Sequence, residues 1–360
     1  MTQADLYEQT REDTYPSGYP SGWYHVLDLK ELPPGGVREL QVLGKHLVAY
    51  RGRESKKLAV LDAHCPHQGA NLAGGDVEGD CIRCPFHNWA FDGDGCLSSI
   101  PRLEKIPRAR LRSYPVREHY GMLWMYHDVS GEVVEPPYEP PGIADIDDGT
   151  LRFRGVYAPR DAKMHISEFI ENSVDFQHFS QLHGGLTIPW TQIKIPGLRI
   201  VYEPGWELDP ELGHVAYFLT YAYLSFRGKH YRKTGASVRV TLFGPGSTVW
   251  FRFTLPELGD IVMFQTHVPT APLNQRVRFR YYADRKIPRP LVWYVVGHWI
   301  SQWRADVEIW ERKIMRPRPV LVSLDGPVHK MRRWVKQFYV DADGALPALA
   351  TDGAAAELPR

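Results

Sequence analysis

Cys65-Pro66-His67-Gln68-Gly69 and, with 16 residues intervening after His67, Cys84-Pro85-Phe86-His87-Asn88 decide the architecture of this 360-residue chain. Each short loop offers one thiolate and one imidazole, a donor mixture that suits either zinc or an iron–sulfur cluster. Structural zinc ligands ordinarily come as like pairs, whereas each loop here mixes its donors at C-x-H and C-x-x-H spacing. The mixture favours a [2Fe–2S] cluster with both cysteines on one iron and both histidines on the other. Pro66, Pro85, Gly69, Gly93 and Gly95 fit tight loops whose amides can approach the cluster sulfides. Cys81 keeps zinc open as an alternative, because Cys81-Ile82-Arg83-Cys84 is itself a C-x-x-C. Otherwise Cys81 and Cys96 are expected to be buried free thiols, and His64 reads as a polar loop residue.

Outward from these loops, residues 23–127 show short apolar segments punctuated by glycine and proline, the pattern of a small all-β domain. Residues 131–149 concentrate Pro136, Pro137, Pro140 and Pro141 with two acidic clusters, which suits a linker. Beyond it, residues 164–182 read as a helix. Alternating β-branched and aromatic segments with turns such as Gly244-Pro245-Gly246 fill 213–284, and residues 288–315 and 327–339 read as helices. The expected organisation is an all-β domain with an N-terminal arm over 1–135, a linker over 136–150, an α+β domain over 151–340 and a loose tail over 341–360. In the α+β domain, helices should cover an antiparallel sheet.

Composition narrows the function. Forty-three basic residues against 42 acidic give a formal charge of +1, no electrostatic case for nucleic acid. Four cysteines are too few for a disulfide scaffold. The polar first 22 residues read as neither signal peptide nor anchor, and the apolar run 291–303 is too short for a bilayer, so a cytoplasmic protein is expected.

The second half holds another constellation, Asn172-Ser-Val-Asp175-Phe-Gln-His178-Phe-Ser-Gln-Leu-His183-Gly184-Gly185. On a helix, Asn172, Asp175 and His178 fall on one face, and the two glycines would let His183 swing in from a frayed last turn. Two imidazoles and one carboxylate form the facial triad of non-haem Fe(II) sites. Asp306 is the candidate carboxylate, because it shares a helix face with the apolar stripe Trp303, Val307, Trp310 and Ile314. A carboxylate there needs a cation, and a salt bridge to arginine is the alternative. Glu308 and Glu311 read as solvated partners of Arg304, Arg312 and Lys313.

Together these residues resemble the Rieske non-haem iron oxygenases over nearly the whole chain. The resemblance implies a Rieske [2Fe–2S] domain on Cys65, His67, Cys84 and His87, followed by a helix-grip-like catalytic domain with mononuclear iron on His178, His183 and Asp306. It implies that Asp175 bridges His178 to a cluster histidine, by family pattern His87, of the neighbouring subunit in a head-to-tail homotrimer, with Asn172 near the iron. No cysteine follows His67 directly, so the loop-bridging disulfide of respiratory Rieske proteins is not expected. The segments around Asn172–His178, 306–313 and 325–339 are similar to the steroid-acting branch, which includes 3-ketosteroid 9α-hydroxylase oxygenases and cholesterol 7-desaturases; the animal desaturases carry an N-terminal membrane anchor that the first residues here lack.

That branch uses O2 and electrons from a separate NAD(P)H-dependent reductase or ferredoxin to hydroxylate, oxidise or desaturate a steroid or sterol. The absence of a phosphate-binding glycine fingerprint agrees with a separate donor. Segments 217–226, 250–255, 279–282 and 291–300 are expected to line an apolar pocket. An aromatic ring-hydroxylating dioxygenase is the competing enzyme, and a Rieske electron carrier or a zinc-stabilised sterol-binding protein the competing non-enzymes.

Overall fold

The computed structural model describes residues 3–339, so the tail expected at 341–360 lies outside the described residues. The first half is all β, as expected. Strands Gly22–Asp28, Met122–His127 and Val116–His119 form one small antiparallel sheet. Val37–Val42, Lys45–Arg51 and Leu58–Asp62 form a second, and Asp76–Glu78, Cys81–Arg83, Ala90–Phe91 and Leu97–Ser99 a third. Strand Met122–His127 is buried throughout. Its alternate residues Leu123 and Met125 enter the core of this half, while Met122, Trp124 and Tyr126 pack with Val215 and Phe243 of the second half. A strand covered on both faces reads as one continuous apolar run.

The second half is built on eight antiparallel strands, in the spatial order Leu151–Tyr157, Asn274–Asp284, Gly259–Ala271, Thr248–Leu255, Lys229–Phe243, Val215–Phe226, Lys194–Leu208 and Gly185–Thr187. The 15-residue strand Lys194–Leu208 was not expected. Pro196, Gly197, Pro204 and Gly205 mimic loop signals, yet near a sheet edge a missing amide costs little.

Six α-helices accompany the sheets among the described residues: α1 Gln3–Glu12, α2 Ala144–Asp147 in the proline-rich linker, α3 Ser167–Asn172, α4 Phe176–Gln181, α5 Arg289–Trp310 and α6 Val328–Lys336. Helix α5 carries the apolar run and lies on the sheet through Val292, Val296, Ile300, Trp303, Val307 and Trp310, all buried at three- and four-residue spacing. At about 2 kcal/mol per buried side chain that stripe fixes which face turns inward, leaving Trp293 and Tyr294 exposed on the other.

The single helix expected over 164–182 is two. Ser173 Oγ turns back to the Ile170 carbonyl at 2.6 Å, and the Asp175 carboxylate accepts the His178 amide at 3.2 Å as the N-cap of α4. Both side chains offer the backbone an alternative to continuing the helix. Asn172 and Asp175 therefore do not share one helical face with His178.

The N-terminal arm is not free. Arg11 on α1 is fully buried, donating to the carbonyls of Trp310 at 3.1 Å, Lys313 at 3.2 Å and Lys163 at 3.3 Å. Two of these carbonyls, of Trp310 and Lys313, stand at and just beyond the C-terminal end of α5, where helical donors run out and a cation is favoured. Tyr15 donates to Glu168 at 2.5 Å, beside the Lys313–Glu168 ion pair at 2.7 Å. Among the described residues no helix is long and apolar enough to cross a membrane.

Candidate active site

The two cysteine–histidine loops are copies of one backbone device. In the first, the Cys65 amide donates to Ala70 O and the Gly69 amide to Cys65 O, both at 2.9 Å. In the second, the Cys84 amide donates to Trp89 O at 2.9 Å and the Asn88 amide to Cys84 O at 3.0 Å. The fifth position of each takes positive φ, +75° at Gly69 and +56° at Asn88, which glycine and asparagine tolerate best. Each loop thus turns its cysteine inward and its histidine outward: Cys65 and Cys84 are 2% exposed, whereas His67 and His87 are exposed with ring centroids 4.7 Å apart. Trp89 stacks on His67 at 4.4 Å.

The described cysteines are free thiols. Burial pushes the Cys65 thiol up, and the adjacent Cys84 adds to the rise. Two neighbouring buried sulfurs facing two exposed imidazoles fit a cluster with sulfur on its inner iron and nitrogen on its outer one. Cys81 and Cys96 are half-buried rather than buried as expected, and Cys81 stays outside the core packed around Cys84. His64 is exposed beside His46, consistent with a loop role.

In the second half, ligand atoms of His178, His183 and Asp306 all lie within 4.8 Å of one another. His183 follows the end of α4, and Asp306 projects from the buried stripe of α5; they meet with Nε2 and Oδ1 2.9 Å apart, both nearly buried. The alternative of a salt bridge from Asp306 to an arginine is therefore not met: the partner of its carboxylate is His183. His178 stands with its ring 5.0 Å from His183 and nearly perpendicular to it. Its Nδ1 meets the Asp175 carbonyl in a very short contact, and Asn172 Nδ2 donates to Nε2 at 3.2 Å. Burial pushes His178 down from the usual imidazole range, against the pull of Asp306, which keeps it neutral as a metal ligand must be. Two imidazoles and one carboxylate on converging elements suit Fe(II), with coordination positions left for other ligands. The Asp175 carboxylate is 48% exposed; its Oδ1 caps the His178 amide and stays 4.0 Å from His178 Nδ1, so the ring's hydrogen bond goes to the Asp175 carbonyl and not to the carboxylate.

Behind the triad, Gln302 Nε2 donates to Tyr202 Oη at 2.5 Å and contacts His298 Nε2 at 3.0 Å. Burial holds His298 at about 4 and raises the Tyr202 phenol. Neither residue stood out in the sequence. Glu311, expected to pair with neighbours on its own helix, is instead held by Arg160 at 2.5 Å.

Above the triad, Phe218, Val240, Leu242 and Phe251 of the sheet close an apolar cavity with Phe169, Phe179 and Trp299. Three of the four expected lining segments contribute. Phe279 packs edge-on against Trp303 instead, and the wall from α3, α4 and strand 229–243 was missed. The free volume is about 30 Å3, room for a water or two.

This pairing of two cysteine–histidine loops with a triad of two histidines and one carboxylate defines a two-centre metalloenzyme, and comparison with known proteins names its class. Residues 22–115 match the Rieske [2Fe-2S] domain, and residues 125–339 match the 3-ketosteroid 9alpha-hydroxylase C-terminal domain. Cholesterol 7-desaturase nvd 1 of Ciona intestinalis is 34% identical across 97% of this chain and 75% of that protein. The probable 3-ketosteroid-9-alpha-monooxygenase oxygenase component of Rhodococcus rhodochrous is 30% identical across 97% and 88%. Among solved structures, the Pseudomonas putida CBB5 NdmA QL mutant with caffeine superposes with a TM-score of 0.65 at 19% identity, covering 91% of each chain. Apo dicamba monooxygenase gives 0.62 at 18%, covering 88% and 96%; both show the shared fold.

The chain belongs to the Rieske non-haem iron oxygenases, in the branch that holds the 3-ketosteroid 9α-hydroxylase oxygenase components and the cholesterol 7-desaturases. It is an oxidoreductase of a family that carries a Rieske [2Fe–2S] cluster and a mononuclear non-haem iron.

Proposed function

We propose that this enzyme hydroxylates or desaturates a steroid or sterol with O2, using electrons from a separate reductase or ferredoxin, as a cytoplasmic enzyme of lipid metabolism. The observation that carries this reading is the His178–His183–Asp306 triad, its last two members buried, beneath an apolar aromatic cavity in a chain whose relatives are named for steroid reactions. In this reading the division of labour falls at the proline-rich segment 136–150. Cys65, Cys84, His67 and His87 hold the cluster on one side of it, and His178, His183 and Asp306 hold the iron on the other. Bound there, the two centres supply single electrons and O2 activation.

The chain's own residues do the rest. Phe218, Phe251 and Trp299 present flat apolar surface to a rigid skeleton and exclude water from the reacting carbon. The Asp175 carbonyl holds the ring of His178 through Nδ1, which leaves Nε2 for the iron, and Asn172, 3.2 Å from that nitrogen, stands beside the metal position. In this reading the half-exposed Asp175 carboxylate takes a hydrogen bond from the exposed His87 of a second copy. Three copies head to tail would supply that contact to each site and close a ring.

The test is incubation of chemically reduced enzyme with O2 and a panel of 3-ketosteroids, 3-hydroxysterols, 4-methylsterols and simple aromatics, read by mass spectrometry. Gain of one oxygen or loss of two hydrogens on a steroid supports the proposal. Conversion of aromatics alone, with gain of two oxygens, overturns the substrate class.

A further inference from the structure

One face of the catalytic half carries exposed apolar side chains interleaved with exposed cations. It is formed by the start of strand Lys194–Leu208 and the tip of the hairpin between strands Val215–Phe226 and Lys229–Phe243. The pairing of Leu198 with Phe226 and an Arg227 amide donating to Gly197 O at 3.0 Å join the two. Here Ile193, Ile195, Phe226 and Tyr231 are 62%, 38%, 42% and 40% exposed. Between them stand Lys194, Arg227, Lys229 and Lys233, all exposed.

Among the described residues no carboxylate pairs with these four cations. Arg227 and Lys229 lie over the Phe226 and Tyr231 rings at 5.3 and 5.6 Å, and nearby Glu203 is tied to Arg232 at 2.6 Å. A merely solvated cationic loop has no use for exposed isoleucine and phenylalanine. An acidic protein partner would use the cations and leave the apolar side chains idle. A bilayer interface uses both, headgroups meeting the cations and the acyl boundary the apolar groups.

The position of the face gives it a purpose. Lys194 Nζ donates to the Leu182 carbonyl at 3.2 Å, one residue before His183, and Arg199 reaches the Ser180 carbonyl at 2.9 Å. The patch therefore sits on the turn that carries an iron-ligand candidate. The segment between them, 186–193, is pinned at Trp190, whose amide donates to Gly297 O at 3.0 Å and whose carbonyl accepts from Arg304 at 2.9 Å. With about 30 Å3 free above the triad, a sterol can enter only where the wall opens, and His183, one residue beyond the carbonyl that Lys194 holds, is the part of the wall that adjoins the patch.

We propose that this face rests on an anionic lipid bilayer and that the sterol passes from the bilayer into the cavity past the turn that carries His183. The sterol's part in this rests on the preceding functional reading; the membrane contact does not. The test is sedimentation of the full-length protein with vesicles of phosphatidylcholine alone and of phosphatidylcholine mixed with phosphatidylglycerol, without sterol.

The expected result is binding to the mixed vesicles that weakens with salt. The triple variant Arg227→Ser, Lys229→Ser, Lys233→Ser should bind about 100-fold more weakly, from about 5-fold per cation at an anionic surface. Ile193→Ser with Phe226→Ser should weaken it at every salt concentration. Unchanged melting and light scattering would show that the variants remain folded with the same assembly. No vesicle binding, or variants that bind like the parent, overturns the proposal. A change in oligomeric state, or a higher KM for the electron donor with vesicle binding intact, would instead make the face a protein interface. Sterol delivered in vesicles and in cyclodextrin separates the two readings: turnover from cyclodextrin without vesicle binding sinks the docking surface alone, and vesicle binding without turnover from either source sinks the sterol reading alone.

Discussion

Gly297→Ala should destabilise the catalytic half, although alanine favours a helix interior over glycine by about 1 kcal/mol. Gly297 lies in α5 under Trp190, and a Cβ there would stand 2.5 Å from indole Cδ1 and 2.6 Å from Cε2. The indole is rigid and hemmed by Tyr157 at 5.4 Å and Trp293 at 5.8 Å, so it must leave as a body. Overpacking of this kind costs about 1–3 kcal/mol, and displacing the ring strains the Trp190–Gly297 backbone bond, worth about 1 kcal/mol. The net effect is a loss of about 1–3 kcal/mol, or several degrees of melting temperature at ~2–4 °C per kcal/mol. In a Trp190→Ala background the obstruction is gone, and the same substitution should stabilise by about 1 kcal/mol. Thermal unfolding of the four members of this cycle reads the sign reversal. If Gly297→Ala raises the melting temperature with Trp190 in place, the indole does not occupy that position and segment 186–193 is not pinned there.

Asp175→Ala should leave the cluster's visible spectrum unchanged while nearly abolishing turnover; normal coupled turnover would remove the bridging role. Arg11→Ala should lower the melting temperature by an amount corresponding to about 3 kcal/mol, since three carbonyls at the end of α5 and beside it lose a charged donor together. Burial holds His127 and His267 at about 4 and His165 at about 3. Their folded values lie below the unfolded value near 6.5, so the unfolded chain takes protons first and stability falls as pH drops from about 6.5 toward 4. On account of these three, the unfolding free energy from denaturant titration should fall by up to about 4 kcal/mol per pH unit there, and His267→Gln should remove about a third of their contribution.

Both metal constellations were legible because their chemistry is local. Cysteine and histidine spacing within two loops needs no tertiary information, and Asp306 announces itself as a carboxylate on an otherwise apolar helix face. The helix break before His178 was also in the sequence, as an aspartate three residues ahead of the amide it caps, but the apolar run through Phe169, Ile170, Val174 and Phe176 masked it. What could not be read depends on distant residues. Arg11 is buried because carbonyls some 150 and 300 positions away need a donor, and Glu311 finds Arg160 across the fold rather than a neighbour on its own helix. The Tyr202–Gln302–His298 group joins a strand to α5, a pairing that only the sheet's register creates.

Metal analysis of Asp306→Ala beside the parent enzyme tests the two-centre site most directly, with iron counted by mass spectrometry and the cluster followed by its visible and paramagnetic spectra. The assignment predicts loss of the mononuclear iron with cluster iron and spectra unchanged. Full retention of iron would mean that Asp306 is not a ligand, and loss of the cluster signal as well would mean that the two centres are not held independently by the residues named.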